Sequence, residues 1–167
     1  MGGTVFVTVG TTLFDELIRI LDSKQAHTLL FRKGYTRLLM QIGKGSHEPG
    51  LSQVPGFQVE FYRYKPTLAE DYRNASLIIS HAGAGSIMES LELRKPLVVV
   101  VNELLMNNHQ TEIASELAEC GHLVHAVCSN LLDVLAGADF SKRVLLLPPD
   151  TKRFARIVDE VMGIKVS

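Results

Sequence analysis

The segment Leu97–Val101 reads Leu-Val-Val-Val-Val, five apolar residues of which four are β-branched. A strand of that kind has no face it can turn to water, so it must be covered on both sides. That requirement restricts the chain to folds with helices above and below a sheet, and the rest of the sequence supplies those layers. Further strands are expected at Thr4–Val9, Arg37–Ile42, Phe57–Tyr62, Leu77–Ser80, Leu123–Val127 and Val144–Leu147. The first helix is expected from Thr12, where Asp15 three residues later resembles a capping pair and Leu13, Phe14, Leu17, Ile18 and Leu21 form a stripe. A short helix follows Pro66-Thr67 with Glu70, and another runs from the glycine turn Gly83–Ser86 to about Arg94. Helices are also expected over Asn107–Glu119, ended by Gly121, over Leu131–Leu135 and over Thr151–Met162. Gly43–Gly56, rich in Gly, Ser and Pro, reads as a mobile loop. Strand–helix alternation throughout predicts an α/β domain with a mostly parallel sheet and right-handed crossovers. At 167 residues, with no repeat or linker, the expectation is a single domain over residues 1–167.

Composition narrows the class of partner. Hydrophobic residues are 46% and charged residues 21%, ordinary values for an ordered domain. Lys and Arg number 17 against 18 Asp and Glu, a balance that argues against nucleic acid. Two cysteines, Cys120 and Cys128, make no disulfide framework, which points to a reduced compartment. The most apolar run is far shorter than the about 30 Å of hydrocarbon in a bilayer requires. The N-terminus lacks a basic region and meets Asp15 and Glu16 early, unlike a signal peptide. Met1-Gly2 lacks the hydroxyl residue of a myristoylation motif, since Phe6 stands in its place. The expectation is a cytoplasmic domain without a membrane segment of its own, whose membrane role, if any, comes through a partner.

In parallel sheets ligands sit beyond the carboxyl ends of the strands, here the loops after Val9, Ile42, Tyr62, Ser80 and Val101. The strongest constellation is Ser80-His81-Ala82-Gly83-Ala84-Gly85-Ser86, followed by Glu89. Small residues let backbone N–H groups approach an anion, and a helix N-terminus adds donors and partial positive charge, as a diphosphate requires. The loop is not a P-loop. As a dinucleotide fingerprint it is defective, with Met88 where a third small residue belongs, although Glu103 lies at a suitable distance from Gly83. Ser86-x-x-Glu89 is equally a capping box, and Thr67-x-x-Glu70 has the same form. His81 could equally pair with a backbone group, and the glycines could serve helix–strand packing alone. Asn107-Asn108-His109-Gln110 form a second polar run suited to sugar hydroxyls, beyond the one Asn a cap needs. Gly10-Thr11-Thr12 form a third, with a plain N-cap as its alternative. His81 and His109 lack a third metal ligand at suitable spacing, so no metal site is expected. No nucleophile elbow, Cys–His pair or carboxylate pair stands out.

His81-x-Gly83-x-Gly85-Ser86-x-x-Glu89 followed by Asn108-His109-Gln110 resembles the donor-binding half of GT-B glycosyltransferases. With Val7–Thr12, Phe14-Asp15, Gln41-Ile42-Gly43, Tyr62-Arg63-Tyr64 and Leu105–Gln110 added, the chain resembles the soluble catalytic subunits of dolichol-linked UDP-N-acetylglucosamine transferases. The resemblance weakens after about Val127, and Arg94 departs from it where that family often has Gly. It implies a Rossmann-like sheet with helices on both faces, equivalent to the C-terminal donor domain of a GT-B enzyme. It further implies that His81 and the N–H groups of Gly83, Ala84, Gly85 and Ser86 hold the UDP diphosphate. Glu89 would accept from the ribose hydroxyls, His109 and Gln110 would read the GlcNAc hydroxyls, and Asn108 beside them would belong to the donor site. Tyr64 and Lys65 would lie near the uracil, and Gly10, Thr11 and Thr12 would face the cleft.

The implied reaction is inverting transfer of GlcNAc from UDP-GlcNAc to GlcNAc-diphosphodolichol, forming a β1,4 bond in N-glycan precursor synthesis. UDP-GlcNAc is then a substrate, with no cofactor and no tightly bound metal. No general base for the acceptor hydroxyl is identified in the chain, and it is expected on a partner. That partner is a membrane-anchored acceptor-binding subunit at the cytosolic face of the endoplasmic reticulum. The last helix, with Phe154, Ile157, Val158 and Val161 on one face, could dock there or pack on its own sheet. The competing readings are a nicotinamide-binding oxidoreductase fragment, resting on Gly83, Gly85 and Glu103, and a non-catalytic adaptor for a membrane partner.

Overall fold

A computed structural model of the protein describes residues 2–104 and 108–146 and positions 152, 155, 156 and 159, with the side chains of 108–110 left out. Six parallel strands form one sheet in the order β3-β2-β1-β4-β5-β6. They are β1 (Gly3–Thr8), β2 (Tyr35–Gln41), β3 (Gln58–Tyr62), β4 (Leu77–His81), β5 (Leu97–Val101) and β6 (Val124–Val127). The helices are α1 (Asp15–Leu21), α2 (Lys24–Arg32), α3 (Ala69–Asn74), α4 (Ala84–Glu92), α5 (Asn108–Glu119) and α6 (Leu131–Gly137).

The period-two alternation of the strands divides the core in two. Val5, Val7, Leu38, Met40, Ile79, Val98 and Val100 point to one face, where Leu17, Ile18 and Leu21 of α1, Leu30 of α2 and Leu131 of α6 cover them. Phe6, Leu39, Ile78, Val99 and Val101 point to the other, under Tyr72 of α3, Ile87 and Leu91 of α4 and Ile113 and Leu117 of α5. Leu97–Val101 is buried along its whole length, as its composition demands. The expected α/β architecture is therefore the one observed.

Several local expectations are corrected. Helix α2 has no clear signal in the sequence: Ser23 caps it by accepting from Ala26 N at 3.1 Å, but its buried face is only Ala26, His27 and Leu30. Helix α1 starts at Asp15 with Phe14 in the cap position, so Thr12 and Asp15 form no capping pair. The Asp15 carboxylate instead accepts from Ser46 N at 3.0 Å, Ser46 Oγ at 2.8 Å and His47 N at 3.3 Å. Asp22 accepts from Gly50 N at 3.2 Å and pairs with His47 Nε2 at 2.8 Å. The loop after β2, read as mobile, is thus fastened to α1 and its C-cap by two carboxylates. No strand forms at Val144–Leu146; Val144 N meets Gly121 O at 2.9 Å, and its carbonyl accepts from His122 Nδ1 at 2.8 Å. Those two bonds seat the segment on the turn after α5 rather than along β6. Leu147 lies outside the described residues. Lys152, Ala155, Arg156 and Asp159 are helical, and the rest of Thr151–Met162, including Phe154, Ile157, Val158 and Val161, lies outside the described residues.

Candidate functional site

The strand order reverses direction between β1 and β4, and this is where an open parallel sheet leaves a crevice at its carboxyl edge. Three expected residues converge there. His81 ends β4, Gly10 follows β1, and Gly83 is the N-cap of α4. A Cβ built on Gly83 would lie 2.4 Å from His81 Nε2, and one built on Gly10 would lie 2.9 Å from Cε1 and 3.1 Å from Nε2. The imidazole is therefore gripped between two glycines, each of which must lack a side chain for the ring to fit. Gly10 also needs its freedom for a φ of 64°.

His81 Nδ1 lies 3.3 Å from Thr8 O. A carbonyl only accepts, so Nδ1 carries the proton and donates it, leaving Nε2 as a lone pair facing the glycines. Burial holds the imidazole below its ordinary value, with the Thr8 bond opposing. The resting ring is neutral, and it becomes a donor toward the crevice only on taking up a proton at Nε2.

Helix α4 opens beside this ring. Gly83, at φ −82° and ψ 129°, ends the strand conformation and brings no side-chain acceptor to the cap, and Ile87 N to Gly83 O, 3.0 Å, is the first backbone bond of the helix. The N–H groups of Ala84, Gly85 and Ser86 therefore precede the ladder and have no acceptor among the described residues. Three free donors at the positive end of a helix have the chemistry that suits an anion. Gly85 is informative, because a Cβ there would meet nothing within 4 Å. Packing explains Gly83 and leaves Gly85 unexplained.

The early start of α4 also removes the capping reading of Glu89. Ser86 is the third helical residue and not the cap, so Ser86 and Glu89 form no capping box. Likewise Thr67 Oγ1 accepts from Ala69 N at 3.2 Å, but Leu68 occupies the cap of α3 and no box with Glu70 forms. Glu89 is half-buried, its carboxylate makes no hydrogen bond among the described residues, and it stands near the Tyr72 phenol. Burial raises that phenol's pKa, the Ser86 hydroxyl counters it and the Glu89 charge adds to it.

The turn after β1 divides by role. Thr12 spends both donors on Val9 O, Oγ1 at 2.6 Å and N at 3.2 Å, and so holds the turn together. Gly10 N–H is also spent, on Gln41 Oε1 at 3.0 Å. Thr11 is exposed and makes no hydrogen bond among the described residues, so its polar groups are free at this turn. Gln41, singled out in the sequence only within the resembling segments, is the residue behind this arrangement. Its buried amide also takes Thr8 Oγ1 at 2.6 Å and Val9 N at 3.2 Å, and donates to Gly10 O and Arg63 O, each at 2.7 Å. The available signal was an uncharged polar residue amid Leu38-Leu39-Met40 and Ile42, where the strand alternation offers it no solvent.

At the end of β3, Tyr64 is exposed, and Lys65 pairs with Asp71 at 3.0 Å while its ammonium stands 4.2 Å from the Tyr62 ring centroid. Tyr62 donates its hydroxyl to the same Asp71. Asn108, His109 and Gln110 open α5, after the strand next to β4, and their side chains lie outside the described residues. Among the described residues no three His, Cys, Asp or Glu side chains gather as metal ligands, and no helix is long and apolar enough to cross a membrane. Cys128 is buried, and burial pushes its thiol up to about 12, which makes it a poor nucleophile.

A family model, the glycosyltransferase family 28 C-terminal domain, matches residues 4–159. The human UDP-N-acetylglucosamine transferase subunit ALG13 is 51% identical over 124 residues, 74% of this chain and 11% of that protein. The chain thus spans about a tenth of that relative's length. The protein of the same name from Yarrowia lipolytica is 34% identical over 170 residues, 95% of this chain and 84% of that protein. The NMR solution structure of ALG13 has the same fold, with a TM-score of 0.71 at 24% identity over 94% of this chain and 95% of that one.

Proposed function

The chain belongs to the glycosyltransferase family 28 C-terminal domain family and, within it, to the UDP-N-acetylglucosamine transferase subunits, and from that premise we propose that it is the donor-binding half of a two-subunit enzyme. The donor is UDP-GlcNAc. One observation carries the reading: three unpaired N–H groups of α4 open beside an imidazole gripped by Gly10 and Gly83 at the switch point of the sheet. That arrangement suits a diphosphate. Glu89, free of a capping duty, accepts from ribose hydroxyls eight residues on from His81, and Tyr64 and Lys65 border the base. Asn108, His109 and Gln110 are assigned to the sugar because α5 follows the neighbouring strand.

The acceptor is GlcNAc-diphosphodolichol. Its sugar hydroxyl attacks the anomeric carbon from the face opposite the diphosphate, the new glycosidic bond forms with inversion, and the bond to the diphosphate oxygen breaks. The hydroxyl proton passes to a base on the partner, and UDP leaves. Negative charge grows on the leaving diphosphate, where the α4 N-terminus and a protonated His81 stabilise it without a bound metal. A family described as a C-terminal domain, and relatives named as subunits, support a second chain that supplies the acceptor half. A lipid-linked acceptor places that chain at the cytosolic face of the endoplasmic reticulum membrane.

The test is transfer of labelled GlcNAc by the chain, with and without membranes bearing the acceptor subunit. Transfer with the membranes and little without them is expected, and Glu89→Gln should abolish most of it. Robust turnover by the chain alone would overturn the two-subunit reading. Full transfer by Glu89→Gln in the complex would reduce the chain to an adaptor.

A further inference from the structure

We infer that Gln41 is a positioning residue of the diphosphate site, acting through the Gly10 backbone to fix the His81 ring. The side chain is 2% exposed at the end of β2. An isosteric apolar residue would fill that space, yet the amide takes part in five hydrogen bonds, all to groups at the carboxyl edge of β1 or just beyond β3. Two of the five fasten the N–H and the C=O of Gly10, so one planar amide sets both peptide planes around the residue at φ 64°. Gly10 in turn forms one wall of the slot that holds the imidazole, and Gly83 forms the other. The ring's own tether is long, 3.3 Å from Nδ1 to Thr8 O, and the Thr8 hydroxyl is itself bound to Gln41 at 2.6 Å. The direction of Nε2 therefore depends on the Gly10 wall, and the wall depends on Gln41. The Arg63 O bond extends the same control to the chain leaving β3, where Tyr64 and Lys65 follow.

The UDP readout of this inference rests on the donor-site reading; the imidazole readout does not. Two variants test it: Gln41→Met, which keeps the volume and removes all five bonds, and the milder Thr8→Val, which removes the hydroxyl alone. The measurements are the NMR pH titration of the His81 Cε1–H, UDP affinity by calorimetry, and the thermal midpoint. In Gln41→Met the His81 titration is expected to move up toward the ordinary imidazole range as the slot loosens. UDP affinity should fall by about tenfold or more, the equivalent of one net hydrogen bond. Thr8→Val should shift both in the same direction by less. A residue that only supports the strand would lower the thermal midpoint and leave the His81 titration untouched, and that result in either folded variant would overturn the inference. Should Gln41→Met fail to fold, Thr8→Val decides. Should the unmodified chain bind no UDP, the donor reading fails while the His81 titration still decides the role of Gln41.

Discussion

Gly85→Ala separates a glycine kept for a ligand from one kept for the fold. Gly85 is the second residue of α4, in helical conformation, and a Cβ there would meet no atom within 4 Å. The substitution therefore introduces no clash, and the lower chain entropy of the unfolded state should make the protein more stable, by about 0.5 kcal/mol. A helical Cβ leans toward the N-terminus, which here is the side of the free N–H groups of Ala84, Gly85 and Ser86. A methyl group in that position keeps a phosphate oxygen from hydrogen-bonding distance, and losing one charge-assisted bond of about 1.5–3 kcal/mol weakens UDP binding by about ten- to a hundredfold. Gly83→Ala serves as the contrast. Its Cβ would stand 2.4 Å from His81 Nε2, about 1 Å inside normal contact, so the ring must shift and stability should fall by about 1–3 kcal/mol. Urea denaturation and calorimetry with UDP read both quantities. A Gly85→Ala protein that binds UDP as tightly as the unmodified chain, or that is less stable, would refute the reasoning.

Three further outcomes are expected. Because His81 donates from Nδ1 to Thr8 and is held neutral by burial, binding a diphosphate should raise its pKa and take up as much as one proton near pH 7.5, so affinity falls as pH rises; calorimetry in buffers of different ionisation heat measures this, and zero uptake would contradict it. Arg94 sits at φ 57° in the turn that closes α4, so Arg94→Gly should stabilise by about 1 kcal/mol in urea denaturation, and an unchanged or lower stability would contradict the strain argument. His27 is buried against Phe57 with Nε2 unpartnered, and burial lowers its pKa from 6.5 against the opposing pull of Asp22. Its folded pKa being the lower one, stability is complete above the ordinary imidazole value and lost as pH falls below it, so His27→Leu should flatten the loss of stability between pH 7 and pH 5.

Much of this was legible from the chain because the dominant signal is local. The five residues Leu97–Val101 and the regular return of strand and helix defined the layers, and the loop His81–Glu89 marked the edge where a ligand belongs. What escaped depends on tertiary contacts. Helix α2 shows a thin apolar face because one of its core positions is a histidine stacked on Phe57. The pairs Thr12–Asp15, Thr67–Glu70 and Ser86–Glu89 have the spacing of capping boxes, but a cap depends on where the preceding strand releases the chain. Glu89 thereby lost its structural explanation and Thr12 gained one. Gln41 belongs to the same class: its five bonds go to two segments distant from it in sequence, Thr8–Gly10 and Arg63, and only the sheet brings them to one amide.

The central claim is that the free N–H groups of α4 and the His81 slot hold a diphosphate. Amide NMR of the labelled chain titrated with UDP tests it directly. The account predicts the largest shifts at Ala84, Gly85 and Ser86, with Thr11 and the His81 ring following at the same dissociation constant. Shifts confined elsewhere, such as the groove of about 510 Å³ between α2 and α6 lined by Lys24 and Arg32, or no shifts at all, would contradict it.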